Sequence, residues 1–283
     1  MKTRVSTAAR PIQLVIADVD GTLLTQDKKL ASSAIAAVKE LKAAGIAFTI
    51  TSGRPPLGMR MLVQALELSQ PMAAFNGGMI VTPSLEVLRQ QFLPAGVAER
   101  VLTALESRGL DPWVYTGQQW LVRDPHAVHV AREQWTVQFS PQVVTDFSPY
   151  QNPIVKIVAV SDNAAALAAG EAEVRRLCGT AVAASRSQPY YLDITHPEAN
   201  KGQVVLTLSQ MLSIAPNRIA TIGDGPNDIL MFQKSGMSIA MGNASPEVQH
   251  AAQFVTGSNE DDGFATAMQK FVLSRAPGAR RRA

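Results

Sequence analysis

The chain has 283 residues, 46% hydrophobic and 17% charged. That suits one large domain or two modest ones and excludes a wholly disordered polymer. The net charge of +3 comes from the ends: Lys2, Arg4 and Arg10 lie in the first ten residues and Arg275, Arg280, Arg281 and Arg282 in the last nine, and removing these seven turns +3 into −4. Flexible basic tails at 1–10 and 275–283, not a nucleic-acid surface, are expected. A single cysteine, Cys178, excludes an intrachain disulfide scaffold. No apolar run nears the ~18 residues of a membrane span. Met1-Lys2-Thr3-Arg4 lacks the apolar segment of a signal peptide, so a cytoplasmic chain without a membrane partner is expected.

The largely apolar stretch from Ile12 to Ala17 reads as a buried central strand of a parallel sheet. It ends in Asp18-Val19-Asp20-Gly21-Thr22-Leu23. Carboxylates two apart at a strand end can face the same way, and they repel unless a cation lies between them; a hard ion such as Mg²⁺ answers that. Gly21 permits the sharp turn that brings backbone N–H groups toward an anion. Ser32 or Ser33 is expected to cap a helix carrying Ile35, Val38 and Leu41, which Gly45 ends. The strand Ile46–Thr51 completes a right-handed βαβ unit and delivers Ser52-Gly53-Arg54 to the same sheet edge as Asp18. A helix around Leu57–Leu66 and a strand Met72–Phe75 lead to Asn76-Gly77-Gly78, also a strong hairpin signal.

From about Ser84 short strands and helices alternate in hairpin-like pairs, which predicts an α+β insert over 84–188. All three Trp residues fall in it, more in the manner of a core than of a ligand shelf. A helix near Pro125–Gln134 carries His126 and His129, read as surface residues and not as a zinc pair. The strand Tyr190–Ile194 is expected to resume the first domain, giving a core of 11–83 and 189–274. Lys201 opens the next helix; an ammonium there makes sense if an anion is bound. The strand Arg218–Ile222 ends in Gly223-Asp224-Gly225-Pro226-Asn227-Asp228, which repeats the logic of the first strand by supplying carboxylates at the sheet edge. The fold class is α/β: a doubly wound, mostly parallel Rossmann-like sheet with an inserted α+β cap.

These motifs carry a resemblance. Asp18-x-Asp20-Gly21-Thr22-Leu23 resembles the nucleophile motif of the haloacid dehalogenase superfamily. Ser52-Gly53-Arg54, Asn76-Gly77-Gly78, Asn200-Lys201-Gly202, Gly223–Asp228 and Ser238–Ala244 resemble its Cof-like phosphatase branch, in the same order and over about 12–273. Pro226 departs from the pattern harmlessly, at a helix start. The resemblance implies that Asp18 is the nucleophile, forming an aspartyl-phosphate, and that Asp20 is the general acid/base. Ser52 and Lys201 would stabilise the transferring group. Mg²⁺ would be held by Asp18, the Asp20 backbone carbonyl, Asp224 and, through water or as an orienting partner, Asp228. Gly21, Thr22, Gly53, Asn76 and Asn227 are carried over as substrate contacts. Arg54 stands between the substrate, a cap loop and a surface carboxylate. The partner implied is a small phosphorylated metabolite, a sugar phosphate before a cofactor such as pyridoxal phosphate or flavin mononucleotide. Two alternatives stay open: a phosphomutase, and a non-catalytic phospho-aspartate switch, which should lack Asp20 and the large insert. No pattern in the sequence speaks to oligomeric state.

Overall fold

The computed structural model describes residues 11–117, 119–150 and 153–276. The tail expectations for 1–10 and for most of 275–283 lie outside the described residues. In chain order the strands are β1 (Leu14–Asp18), β2 (Ala47–Thr51), β3 (Met72–Ala74), β4 (Met79–Val81), β5 (Val87–Gln90), β6 (Asp111–Thr116), β7 (Gln119–Val122), β8 (Gln142–Val143), β9 (Lys156–Val160), β10 (Ala183–Gln188), β11 (Tyr191–Thr195), β12 (Ile219–Gly223), β13 (Met237–Ala240) and β14 (Phe254–Val255). The helices are α1 (Ser32–Ala43), α2 (Arg60–Ala65), α3 (Val97–Glu106), α4 (Val130–Val137), α5 (Ala164–Cys178), α6 (Lys201–Leu212), α7 (Ile229–Phe232), α8 (Pro246–Ala251) and α9 (Gly263–Ala267). The chain forms two compact units. Of the described residues, one takes those up to Thr51, Gln64–Pro71 and those from Lys201 on; the other takes Ser52–Val63 and those within Met72–Asn200.

In the first unit the strands run β14-β13-β12-β1-β2, every pairing parallel. All five residues of β1 are buried, which is why the run reads apolar without alternation. Asp18 pairs with Thr51, and Ala17 with Ile222. Parallel neighbours carry their carboxyl ends to one edge, so Asp18, Thr51 and Gly223 meet there. Helix α1 ends as the sequence predicts, with Gly45 left-handed at φ 73 and its N–H returned to the Lys42 carbonyl. Its start differs. Ala31 is the N-cap, both serines have entered the helix, and the Ser33 hydroxyl donates to Asp262.

In the second unit β3, β4 and β5 form an antiparallel meander. A six-stranded sheet follows in the order β10-β11-β9-β6-β7-β8, antiparallel except at β7–β8. Val101 and Leu105 of α3 and Leu167 and Val174 of α5 pack with Val114, Ile157 and Leu192 from the sheet in one apolar core. Trp113 and Trp120, also on this sheet, are fully buried edge-to-face at 5.2 Å, whereas Trp135 is exposed.

Two expectations change here. Tyr191–Thr195 does not resume the parallel sheet; it is antiparallel to both β9 and β10. A short apolar run reads the same in either setting, and the pairing is decided by partners the run does not name. The helix expected from Pro125 starts only at Val130. The Asp124 side chain takes the His126 N–H in a turn, and His129 is left-handed at φ 67. His126 and His129 therefore share no helical face. His129 is half-buried, stacked on Tyr190 at 3.9 Å and bonded to Asp162 at 2.7 Å. No helix among the described residues is long and apolar enough to cross a membrane.

Candidate active site

Asp18 ends β1, Asp224 follows β12, Asp228 lies one turn further on, and Lys201 opens α6. Lys201 is 1% exposed, and its Nζ donates to Asp18 Oδ1 and Asp228 Oδ1, each at 2.5 Å. The second Asp228 oxygen accepts the backbone N–H groups of Asp224 (2.9 Å) and Gly225 (2.8 Å). Asp228 is thus fully committed, folding the acidic loop and holding the lysine. Gly223 makes room for it: a Cβ there would stand 2.3 Å from the Asp228 carboxyl carbon.

Gly21 is another tight glycine position in the site. Its φ is 79, and a Cβ would meet Asp224 Oδ2 at 2.2 Å. The nucleophile loop therefore lies directly against Asp224, and Thr22 Oγ1 donates to Asp224 Oδ1 at 3.1 Å. Asn243, which the sequence did not single out as a site residue, closes the arrangement. Its amide donates to the Gly21 carbonyl (2.9 Å) and to Asp224 Oδ2 (3.3 Å), while its oxygen accepts from Asn259 N. The signal for it was present in Gly242-Asn243-Ala244, part of the Cof-like resemblance.

The electrostatics are those of crowded carboxylates. Burial pushes the Asp18 carboxyl well above the usual range; Lys201 opposes the rise, and Asp228 and Asp224 add to it. Burial, then Asp228, lifts Asp224 to about 6. Burial alone would lower Lys201, but Asp18 and Asp228 outweigh it and hold the ammonium above its ordinary value. Oxygens of Asp18, Asp224 and Asp228 all lie within 4.8 Å of one another. Three carboxylates crowd together and one ammonium bonds two of them, so the donor set fits a hard divalent cation. The Asp20 carboxylate is outside this cluster. It is one-third exposed and ion-paired to Lys28 at 2.7 Å.

The second unit places the remaining residues. Ser52 follows directly on Thr51, the partner of Asp18 in the sheet. Its N–H donates to Ala73, its carbonyl accepts from Asn76 N at 2.7 Å, and its Oγ accepts from Arg54 N at 3.2 Å. The Asn76 amide lies close to Gly53, 3.4 Å from where a Cβ would be. Phe75 and Asn76 are both left-handed, at φ 51 and 56. Such a backbone is costly for a ring-bearing residue, and strain of this kind gathers at functional turns. Arg54 is buried, its guanidinium donating to the carbonyls of Gly58 (3.1 Å) and Thr136 (2.8 Å), the latter near the end of α4. Asn227 is exposed on the acidic loop.

A family model for haloacid dehalogenase-like hydrolases matches residues 15–268. The chain is 29% identical over 235 residues to the HMP-PP phosphatase of Cronobacter sakazakii, covering 82% of this chain and 84% of that one. It is 24% identical over 271 residues to the pyridoxal phosphate phosphatase of Escherichia coli, covering 92% and 99%. A crystal structure of a haloacid dehalogenase-like hydrolase from Bacteroides thetaiotaomicron agrees with a TM-score of 0.85 at 27% identity, over 92% of this chain and 99% of that one. These likenesses bear out the resemblance to the Cof-like phosphatases, the Rossmann-like α/β class and the reading of an enzyme that hydrolyses phosphoric monoesters. With a family model spanning most of its length, the chain belongs to the haloacid dehalogenase-like hydrolases.

Proposed function

We propose that the chain is a Mg²⁺-dependent phosphatase of small phosphorylated metabolites, a sugar phosphate first, working through an aspartyl-phosphate on Asp18 in the cytoplasm. The observation that carries this reading is the buried Lys201 held between Asp18 and Asp228, with Asp224 alongside. Asp18, the Asp20 backbone carbonyl and Asp224 would hold the ion, with Asp228 behind them. When bound, Mg²⁺ supplies positive charge for the phosphate oxygens beside Asp18.

Asp18 attacks phosphorus, an Oδ–P bond forms, and the bond to the leaving oxygen breaks. Asp20 gives that oxygen its proton, then removes one from the water that cleaves the aspartyl-phosphate. Lys201 and Ser52 stabilise the transferring group, aided by Gly21, Thr22 and Gly53 at the two turns. Asn76 and Asn227 contact substrate, and the α+β insert excludes water and selects the leaving group. The HMP-PP and pyridoxal phosphate named for two relatives support a small-metabolite substrate.

The test is phosphate release from a panel of sugar phosphates and phosphorylated cofactors, with and without Mg²⁺, for wild type and Asp18→Asn. Release that needs Mg²⁺ and vanishes in the variant supports the reading. Release that survives Asp18→Asn sinks the nucleophile.

A further inference from the structure

Asp20 has a counter-ion in Lys28. Lys28 Nζ lies 2.7 Å from Asp20 Oδ1, with the lysine side chain 26% exposed. Its neighbour Lys29 is 79% exposed and reaches Asp27 only at 3.8 Å, so the two adjacent lysines have different roles. A closed turn aims Lys28. Thr25 N donates to the Lys29 carbonyl, Lys28 N to the Thr25 carbonyl, and Lys29 N to Thr25 Oγ1. The turn is pinned from outside by Asn259, which donates to the Leu24 carbonyl, and by Glu260, which accepts from Gln26 N. Lys28 is itself left-handed at φ 59, where glycine or asparagine is the ordinary choice. The backbone thus tolerates an unfavourable conformation at a residue whose side chain meets Asp20.

The charge distribution gives that contact a use. The Lys201 ammonium already pairs with Asp18 and Asp228, and Asp224 lies beside them. A fourth carboxylate from the same loop would be drawn toward any cation held by that cluster and lost to the leaving group. We propose that Lys28 is a positioning residue: it holds the Asp20 side chain apart from the cation-binding carboxylates, so that the Asp20 carboxyl, once it has taken up a proton, can give it to the leaving oxygen. This rests on the phosphatase reading above.

The experiment compares kcat/KM, which reports through the transfer to Asp18, for two probes in Mg²⁺. Glycerol 3-phosphate has an alkoxide leaving group that needs a proton; p-nitrophenyl phosphate has one that does not. In Lys28→Gly, which suits φ 59, the melting temperature should match or exceed wild type. A positioned acid is worth about 10²–10⁴, so partial displacement should lower kcat/KM for glycerol 3-phosphate about tenfold more than for p-nitrophenyl phosphate. Lys28→Arg should restore most of the difference. Lys28→Asn, which also tolerates a left-handed backbone, serves as the second variant if the glycine protein does not fold. An unchanged ratio between the two probes in a folded variant overturns the proposal. Wild type inactive on both probes, or activity that survives Asp18→Asn, defeats the phosphatase reading itself and the proposal with it.

Discussion

Lys201 Nζ donates to Asp18 Oδ1 at 2.5 Å, joining groups 183 residues apart in the chain. Both are buried. An ammonium and a carboxylate taken out of water are tolerable only as partners, so the fold must bring α6 and β1 together for either residue to stay ionised. The reacting group and its electrostatic support are therefore one structural unit.

Asp18→Asn keeps the shape of the side chain and removes the nucleophile. Turnover is expected to fall at least about a thousandfold, the scale seen when a covalent nucleophile is lost. Circular dichroism should match wild type, so the loss is chemical. A retained rate would move the nucleophile elsewhere.

Lys201→Met leaves Asp18 and Asp228 without their shared cation. Breaking a buried pair of this kind costs about 3–5 kcal/mol. The deficit at neutral pH should shrink on acidification, because protonated carboxyls no longer repel. Urea unfolding at pH 7 and pH 5 checks both parts. A stable Lys201→Met protein at pH 7 would contradict the role given to the pair.

Asp224, lifted from 3.8 to about 6, sets a pH dependence. The folded state holds this proton more tightly than the unfolded chain. Its contribution is therefore most favourable below pH 3.8 and is lost as the pH rises through 6. A divalent cation needs the ionised form and competes with the proton. The rise in melting temperature on adding Mg²⁺ should thus be larger at pH 7 than at pH 5, and small at both in Asp224→Asn. An equal rise at both pH values would exclude Asp224 as a ligand.

Arg54→Met separates support from substrate binding. The guanidinium meets the carbonyls of Gly58 and Thr136. Leaving such groups buried and unmade costs about 1–3 kcal/mol each, so the variant should unfold at lower denaturant with KM little changed. A raised KM at unchanged stability would make Arg54 a substrate contact instead.

Asp18, Asp20, Lys201, Asp224 and Asp228 were legible because each sits at the end of an apolar run or the start of a helix, where local pattern and chemistry coincide. Arg54 was legible as a residue but not as a role. One of its contacts, the Thr136 carbonyl, lies 82 residues away in the chain. Asn243 and Lys28 were passed over for related reasons: the first meets Gly21 across 222 residues, and the second is one of two adjacent lysines that look equally solvated in the sequence.

The sequence by itself determined the composition of the cluster and the strand ends that present it, since a buried parallel strand must be apolar and its polar end must be functional or paired. The tertiary structure decided which strands pair, so that Tyr191–Thr195 joins the antiparallel sheet. It also decided where α4 begins and which lysine faces Asp18 and which faces Asp20. Pairing and ion contact depend on distances between remote segments, and a periodic pattern carries only the local half of that information.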